Sequence, residues 1–253
     1  MYPTTIQPGL GAMKLRRCEA ASAGSMNLLS PRDRVQFATV SARSAHPAGN
    51  GPPSPMESLG TLRWYGADER IYRQDESDDY WYRLVGGAAR KCTQISDGRR
   101  QIVDFLLPGD LFGFHTGDCS VECVVANTTV VRYPRREMEF LMESDPQLAR
   151  EVREFAFESI GRMQSRIILL GRSRAMERVC GFLLEMAYRA QIESLGTVSL
   201  LMSRYDIADY LAIAVETVSR SLTTLRSKRV IAFLDTRHFR ILDRKALEAQ
   251  CCR

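Results

Sequence analysis

Ser203-Arg204-Tyr205-Asp206-Ile207-Ala208-Asp209-Tyr210-Leu211-Ala212-Ile213-Ala214-Val215-Glu216-Thr217-Val218-Ser219-Arg220-Ser221-Leu222-Thr223-Thr224-Leu225-Arg226 reads as two short helices joined by a tight turn. In the first, Ile207, Ala208 and Leu211 recur at a spacing that makes one apolar face; in the second, Val218, Leu222 and Leu225 do the same. That packing leaves Val215, Glu216, Ser219 and Arg220 pointing away from the shared core. An apolar tip, a carboxylate acceptor, a hydroxyl and a bidentate donor are the groups that tell base pairs apart in a DNA major groove. The pattern predicts a helix-turn-helix and implies binding to a specific DNA sequence.

The charge distribution points the same way. The chain of 253 residues carries a formal net charge of +5. Residues 1–171 hold 21 Lys and Arg against 21 Asp and Glu, and residues 172–253 hold 14 against 9, so the whole excess lies in the last third. A basic module behind a neutral one suits phosphate binding by the former and sensing or dimerisation by the latter. No run of about 18 apolar residues is present, so no membrane span is expected. Lys14, Arg16 and Arg17 are not followed by an apolar stretch of the secretory kind, which suggests a cytoplasmic chain. Seven cysteines, an odd number in a chain this long, read as reduced thiols and not as a disulfide framework.

Outward from the motif, the chain divides into four parts. Residues 1–58 are rich in Ala, Ser, Gly and Pro and are expected to form a disordered arm. Residues 59–145 alternate short apolar runs with turn residues. Tyr80-Trp81-Tyr82-Arg83-Leu84-Val85 ends in Gly86-Gly87, and Gln101-Ile102-Val103-Asp104-Phe105-Leu106-Leu107 ends in Pro108-Gly109-Asp110. Further runs follow at Val121–Val125 and Val130–Tyr133, a texture that predicts an antiparallel β-roll or jelly roll. Residues 146–172 read as one long helix, with Ala156, Ile160, Met163, Ile167 and Leu170 stepping by four, three, four and three. This seam fits helix pairing in a homodimer, and packing within one chain is the alternative. Residues 173–253 hold a helix from Ala175 to Arg189, the helix-turn-helix, and a hairpin-like wing around Asp235-Thr236-Arg237. The fold class is α+β: a β-roll, a dimerisation helix and a winged helix-turn-helix.

This order, with Arg204-Tyr205-Asp206-Ile207-Ala208-Asp209-Tyr210-Leu211 followed by Val215-Glu216-Thr217-Val218-Ser219-Arg220, resembles the Crp–Fnr family of bacterial transcription regulators over residues 60–245. The segment Glu177–Leu184 and the turn Ser96-Asp97-Gly98-Arg99-Arg100 are similar to its FixK branch, which governs low-oxygen respiration and nitrogen-fixation genes. The resemblance implies a homodimeric activator whose partners are double-stranded DNA and RNA polymerase. It places Glu216, Ser219 and Arg220 at base-reading positions, with Val215 where the cyclic-AMP receptor type has Arg, and implies half-sites of the TTGA/TCAA kind. Arg204, Thr217, Lys228 and Arg229 are the candidates for DNA-backbone contacts. Two positions depart from the family pattern: Ala212 stands where Gly is usual at the turn, and Ala214 where Thr usually caps the second helix.

The β-roll lacks the residues that would mark a known ligand. Pro108-Gly109-Asp110-Leu111 has no Glu for a ribose, and no Arg-Ser/Thr-Ala follows it before Tyr133, so cyclic-nucleotide control is not expected. Only Cys18 lies in the N-terminal arm, short of the thiolates an iron–sulfur cluster needs. Neither a metal nor another cofactor is expected. Cys119 and Cys123 with Cys92, or haem ligation through His115 or His46, stay open as metal- or ligand-gated alternatives. A cupin-type metalloenzyme, the rival of a different class, would need several roll histidines where only His115 lies. Cys180, two residues after Arg178 and just ahead of the motif, is the candidate redox thiol, against the alternative of a small buried hydrophobe.

Overall fold

The computed structural model describes residues 55–251 apart from 75–78, 95–97, 99, 115, 116, 118, 173 and 191–195. The expected arm up to residue 54, with Cys18 and His46, and also His115, lie outside the described residues. The last residues assigned to the arm are helical instead. Pro55–Leu59 (α1) begins on proline, which suits a first helical turn, and buries Met56 against Trp81, Tyr133 and Met138.

The β-roll is built as its alternating sequence requires. Two four-stranded antiparallel sheets face each other. One has the order β1 (Thr61–Tyr65), β8 (Thr128–Pro134), β3 (Tyr80–Gly86), β6 (Leu111–Phe112), and the other β2 (Arg70–Tyr72), β7 (Ser120–Cys123), β4 (Ala89–Gln94), β5 (Arg100–Leu106). On β7, Val121 and Cys123 are fully buried while Ser120 and Glu122 are not, the period of two that packs one face of a strand. The connection from β3 to β4 depends on Gly87, at φ +85°, where a side chain would start 2.5 Å from the Thr128 hydroxyl.

Behind the roll, Arg135–Ser144 (α2) is a helix that the strand pattern did not separate from the roll. It stops where Asp145-Pro146 begins the next: Asp145 accepts hydrogen bonds from the amides of Gln147 and Leu148, and Pro146 occupies the first turn. Pro146–Leu170 (α3) is the expected long helix. Leu148, Val152 and Leu169 are buried, whereas Ile160, Met163 and Ile167 of the seam are 45%, 51% and 71% exposed. Phe157 and Ile168 extend that exposed apolar face; Ala156 and Leu170 are half-buried.

Ala175–Arg189 (α4), β9 (Thr197–Ser199), Arg204–Leu211 (α5), Val215–Ser227 (α6), β10 (Ile231–Phe233), β11 (His238–Ile241) and Arg244–Cys251 (α7) complete the chain. The wing is a three-stranded sheet, with β9 paired to β11. The two modules are not separate bodies. Cys92, Ile102 and Phe105 of the roll belong to the same core as Phe182, Leu183, Ile207, Tyr210, Leu211, Val218 and Leu222. Phe105, Phe182 and Tyr210 meet as a ring trio with centroids 5.0–6.1 Å apart.

Candidate nucleic-acid interface

The two motif helices form for different local reasons. Ser203 caps α5 with a reciprocal box: its hydroxyl accepts from the Asp206 amide, and the Asp206 carboxylate accepts from the Ser203 amide. The turn that follows puts Ala212 at φ 52°, ψ 49°, left-handed backbone that glycine adopts without cost. At Ala214 no side chain caps α6. The family departures at these two positions therefore fall on a strained turn and a bare helix start. Replacing Ala212 by Gly should stabilise the fold by about 1 kcal/mol, since the left-handed penalty outweighs glycine's extra entropy. Ala214→Ser should add about 0.5–2 kcal/mol. Both are read as a rise in the urea midpoint, and a midpoint that does not move for either variant refutes this account of the turn.

Packing then selects the face that is left free. Val218, Leu222 and Leu225 are buried against α4 and α5, while Glu216, Ser219 and Arg220 are exposed on the first two turns of α6. Glu216, near the positive end of the helix dipole, is also well placed electrostatically. Val215 departs from the expectation. It is half-buried and packs against the core, because α6 begins close enough to its neighbours to cover that methyl pair. Thr217 is half-buried as well. Lys228 and Arg229 are exposed just past the end of α6, and Arg229 takes the left-handed conformation that ends it.

Arg204 sits differently from a free surface cation. Its guanidinium lies 4.9 Å from the centre of the Phe233 ring on the wing, and burial holds it below the usual arginine range. Its Nη1 has no hydrogen-bond partner among the described residues. The wing tip, which the sequence marks only as a hairpin, has a defined shape of its own. There Asp235 accepts from the Arg237 amide at 2.6 Å and pairs with His238 Nδ1 at 2.8 Å, which holds its carboxyl below the usual range. Arg237 is left exposed at the tip of the hairpin.

The setting of Cys180 corrects the expected redox role. The thiol is completely buried beneath α7, and burial pushes it up to about 12, far from a reactive thiolate. Arg178, the cation expected to activate it, is turned the other way and donates to the carbonyls of Arg172 and Leu211. Cys92 and Cys123 are likewise core residues, raised by burial to about 12 and about 11. Among the described residues no group of three or more His, Cys, Asp or Glu side chains is arranged to hold a metal ion. No helix there is long and apolar enough to cross a membrane.

Asp110, which stands where a nucleotide-binding roll carries its ribose-binding Glu, is engaged within the protein. It accepts from the Leu107 amide at 2.7 Å and pairs with Arg189 at 2.5 Å and Arg162 at 3.4 Å. Between the two sheets, Tyr72, Tyr82 and Phe112 fill the interior with rings 5.5–6.4 Å apart.

Comparison with known proteins agrees with this layout. Residues 62–145 match the cyclic nucleotide-binding domain and residues 177–250 the Crp-like helix-turn-helix domain. The chain is 38% identical over 202 residues to the nitrogen fixation regulation protein FixK of Azorhizobium caulinodans, covering 78% of this chain and 81% of that protein. It is 37% identical over 257 residues to the transcriptional activatory protein AadR of Rhodopseudomonas palustris, covering 98% and 96%. The structure of FixK2 from Bradyrhizobium japonicum superposes with a TM-score of 0.70 at 37% identity, over 76% of this chain and 97% of that one. A β-roll joined to this helix-turn-helix, with relatives matched over most of their length, means that the chain belongs to the FixK group of the Crp–Fnr family of transcription regulators.

Proposed function

We propose that this protein is a cytoplasmic homodimeric activator that reads a palindrome of TTGA/TCAA half-sites and recruits RNA polymerase without requiring a cyclic nucleotide. The observation that carries the reading is the exposed triad on α6, free on a helix whose every apolar residue is packed. Arg220 can donate twice to guanine O6 and N7, Glu216 can accept from cytosine N4, and Ser219 can bond a base edge. Val215, half-buried, would contact a thymine methyl only with its outer edge. Arg204, Thr217, Lys228 and Arg229 would hold phosphates and set the register. The names borne by FixK, a nitrogen fixation regulation protein, and AadR, a transcriptional activatory protein, support an activator of nitrogen-fixation genes. Independence from nucleotide is supported by the ring-filled roll and by Asp110, which accepts from the Leu107 amide and Arg189 and is ion-paired with Arg162.

The test is a mobility shift with palindromic DNA whose half-sites lie about 34 Å apart, without nucleotide. Arg220→Ala and Glu216→Ala should each weaken specific binding by about 1–3 kcal/mol and relax the preference at one base pair. Neutralising Lys228 or Arg229 should weaken all sequences alike and flatten the salt dependence. Strict dependence on cyclic AMP, or an Arg220→Ala protein with unchanged base preference, would overturn the reading.

A further inference from the structure

The first motif helix is held at both ends by side chains, most of them from outside the DNA-binding module. At its start, Asp206 uses one carboxylate oxygen for the capping box and offers the other to the β-roll. Arg90 of β4 reaches it at 3.2 Å and Arg100 of β5 at 3.1 Å. One turn on, Asp209 takes two nitrogens of Arg100 at 2.9 and 3.3 Å. Asp206 and Asp209 are three residues apart and so share a face of the helix. At the far end, Gln101 donates to the Asp209 carbonyl, Arg166 of α3 to the Tyr210 carbonyl at 3.3 Å, and Arg178 of α4 to the Leu211 carbonyl at 3.2 Å. These carbonyls are the ones that a helix end leaves without internal partners.

Under the helix lies the Phe105–Phe182–Tyr210 trio, which supplies adhesion with little directional preference. The ion pairs above it have direction, because a guanidinium meets a carboxylate in fixed geometry. Arg90 and Asp206 are almost wholly buried, and Arg90 is oriented from behind by Asp68 at 2.7 Å and Glu122 at 3.0 Å. The apolar contact thus holds the module on the roll, and the charges determine its angle.

We propose that Arg90 and Arg100 are positioning residues for DNA reading: through Asp206 and Asp209 they fix the angle of the helix-turn-helix on the β-roll, and with it the half-site spacing the dimer accepts. The inference rests on the two-fold reading above. The exposed seam and Arg166 are on the same helix, and Arg166 also donates to the Ile102 carbonyl of the roll at 2.6 Å. Dimer seam, roll and reading helix therefore form one framework. An error in the module's angle is carried directly into the separation of two recognition helices, and one base pair of spacer moves a half-site by about a tenth of a helical turn.

The experiment measures affinity of the full-length protein for three palindromes: the preferred spacer, and spacers one base pair shorter and longer. The wild type should favour its own spacer by at least about tenfold, and Arg100→Ala should reduce this preference to about threefold or less. Preference for the half-site base pairs should stay as in the wild type, which a merely weakened DNA-binding module would not combine with lost spacing. Asp209→Asn, which removes the partner charge from the helix side, should lower the preference in the same direction. This second variant keeps the test decisive if Arg100→Ala folds poorly. A dimer of either variant that discriminates spacers like the wild type overturns the proposal. Wild-type protein without spacer preference, or sedimenting as a monomer, overturns the two-fold reading and the proposal with it.

Discussion

Replacing Ile160 and Ile167 together by Glu should convert the protein to a monomer and lower its affinity for a palindromic site by about 10²–10⁴-fold, the gain that coupling two binding modules confers. Both side chains lie on the free face of α3, 45% and 71% exposed, on the same stripe as Met163 and Phe157. Each large apolar side chain fully withdrawn from water contributes about 1.5–3 kcal/mol, and a two-fold seam counts every one twice. Two carboxylates per helix placed at that seam would face two more across the axis. Such like-charge juxtaposition costs several kcal/mol on top of the lost burial. The rest of the fold should be untouched, because the buried side of the helix is carried by Leu148, Val152 and Leu169. Sedimentation and mobility shift read the two effects. A double variant that stays dimeric at micromolar concentration, or a monomer that binds the palindrome as tightly as before, removes α3 from the interface.

The second large effect is a pH dependence of stability. Glu185 on α4 is partly buried below Tyr210, whose hydroxyl lies 3.4 Å from both carboxylate oxygens. Burial pushes its carboxyl up to about 7, and Asp104 adds to this. Arg189, Arg162 and the Tyr210 hydrogen bond pull it back. The folded protein thus binds this proton more tightly than the unfolded chain, whose Glu titrates near its ordinary 4.5. The resulting stabilisation is complete below about 4.5 and is lost as pH rises through about 7, amounting to on the order of 3 kcal/mol. Glu185→Gln lacks this titration. The stability difference between the two proteins, from urea unfolding at one fixed protein concentration, should therefore shift by that amount between pH 4.5 and 8, with the wild type losing as pH rises. Parallel pH profiles for the two proteins refute the assignment.

Much of the molecule was legible from local pattern. The strands around Tyr80, Gln101, Val121 and Val130 alternate with the period of a half-buried sheet, and they are strands. The motif helices carry their apolar residues at helical spacing, and Ile207, Leu211, Val218, Leu222 and Leu225 are all buried. The roles of Ala212 and Ala214 were also readable, because a turn that demands left-handed backbone and a helix start that wants a hydroxyl are local requirements. The short helices next to the roll are less legible: α1 has five residues, too few for a period, and α2, although Met138, Leu141 and Met142 stand at helical spacing, follows the last strand without a turn residue to separate it.

Chain-local chemistry thus determined the kind of protein: most of the helices and strands, the free face of α6 apart from Val215, and which residues a nucleotide site would need. What only the tertiary structure decided is how the pieces constrain one another. Nothing near Arg90 or Arg100 announces Asp206 and Asp209, more than a hundred residues away, because an ion pair across such a separation leaves no periodicity in either strand or helix. Cys180 shows the same division. A thiol two residues after an arginine can be activated or inert, and it is inert here because Arg178 spends its donors on helix-end carbonyls while α7 closes over the sulfur. Spacing along a chain states which groups can meet; burial and direction, which depend on every neighbour at once, state which of them do.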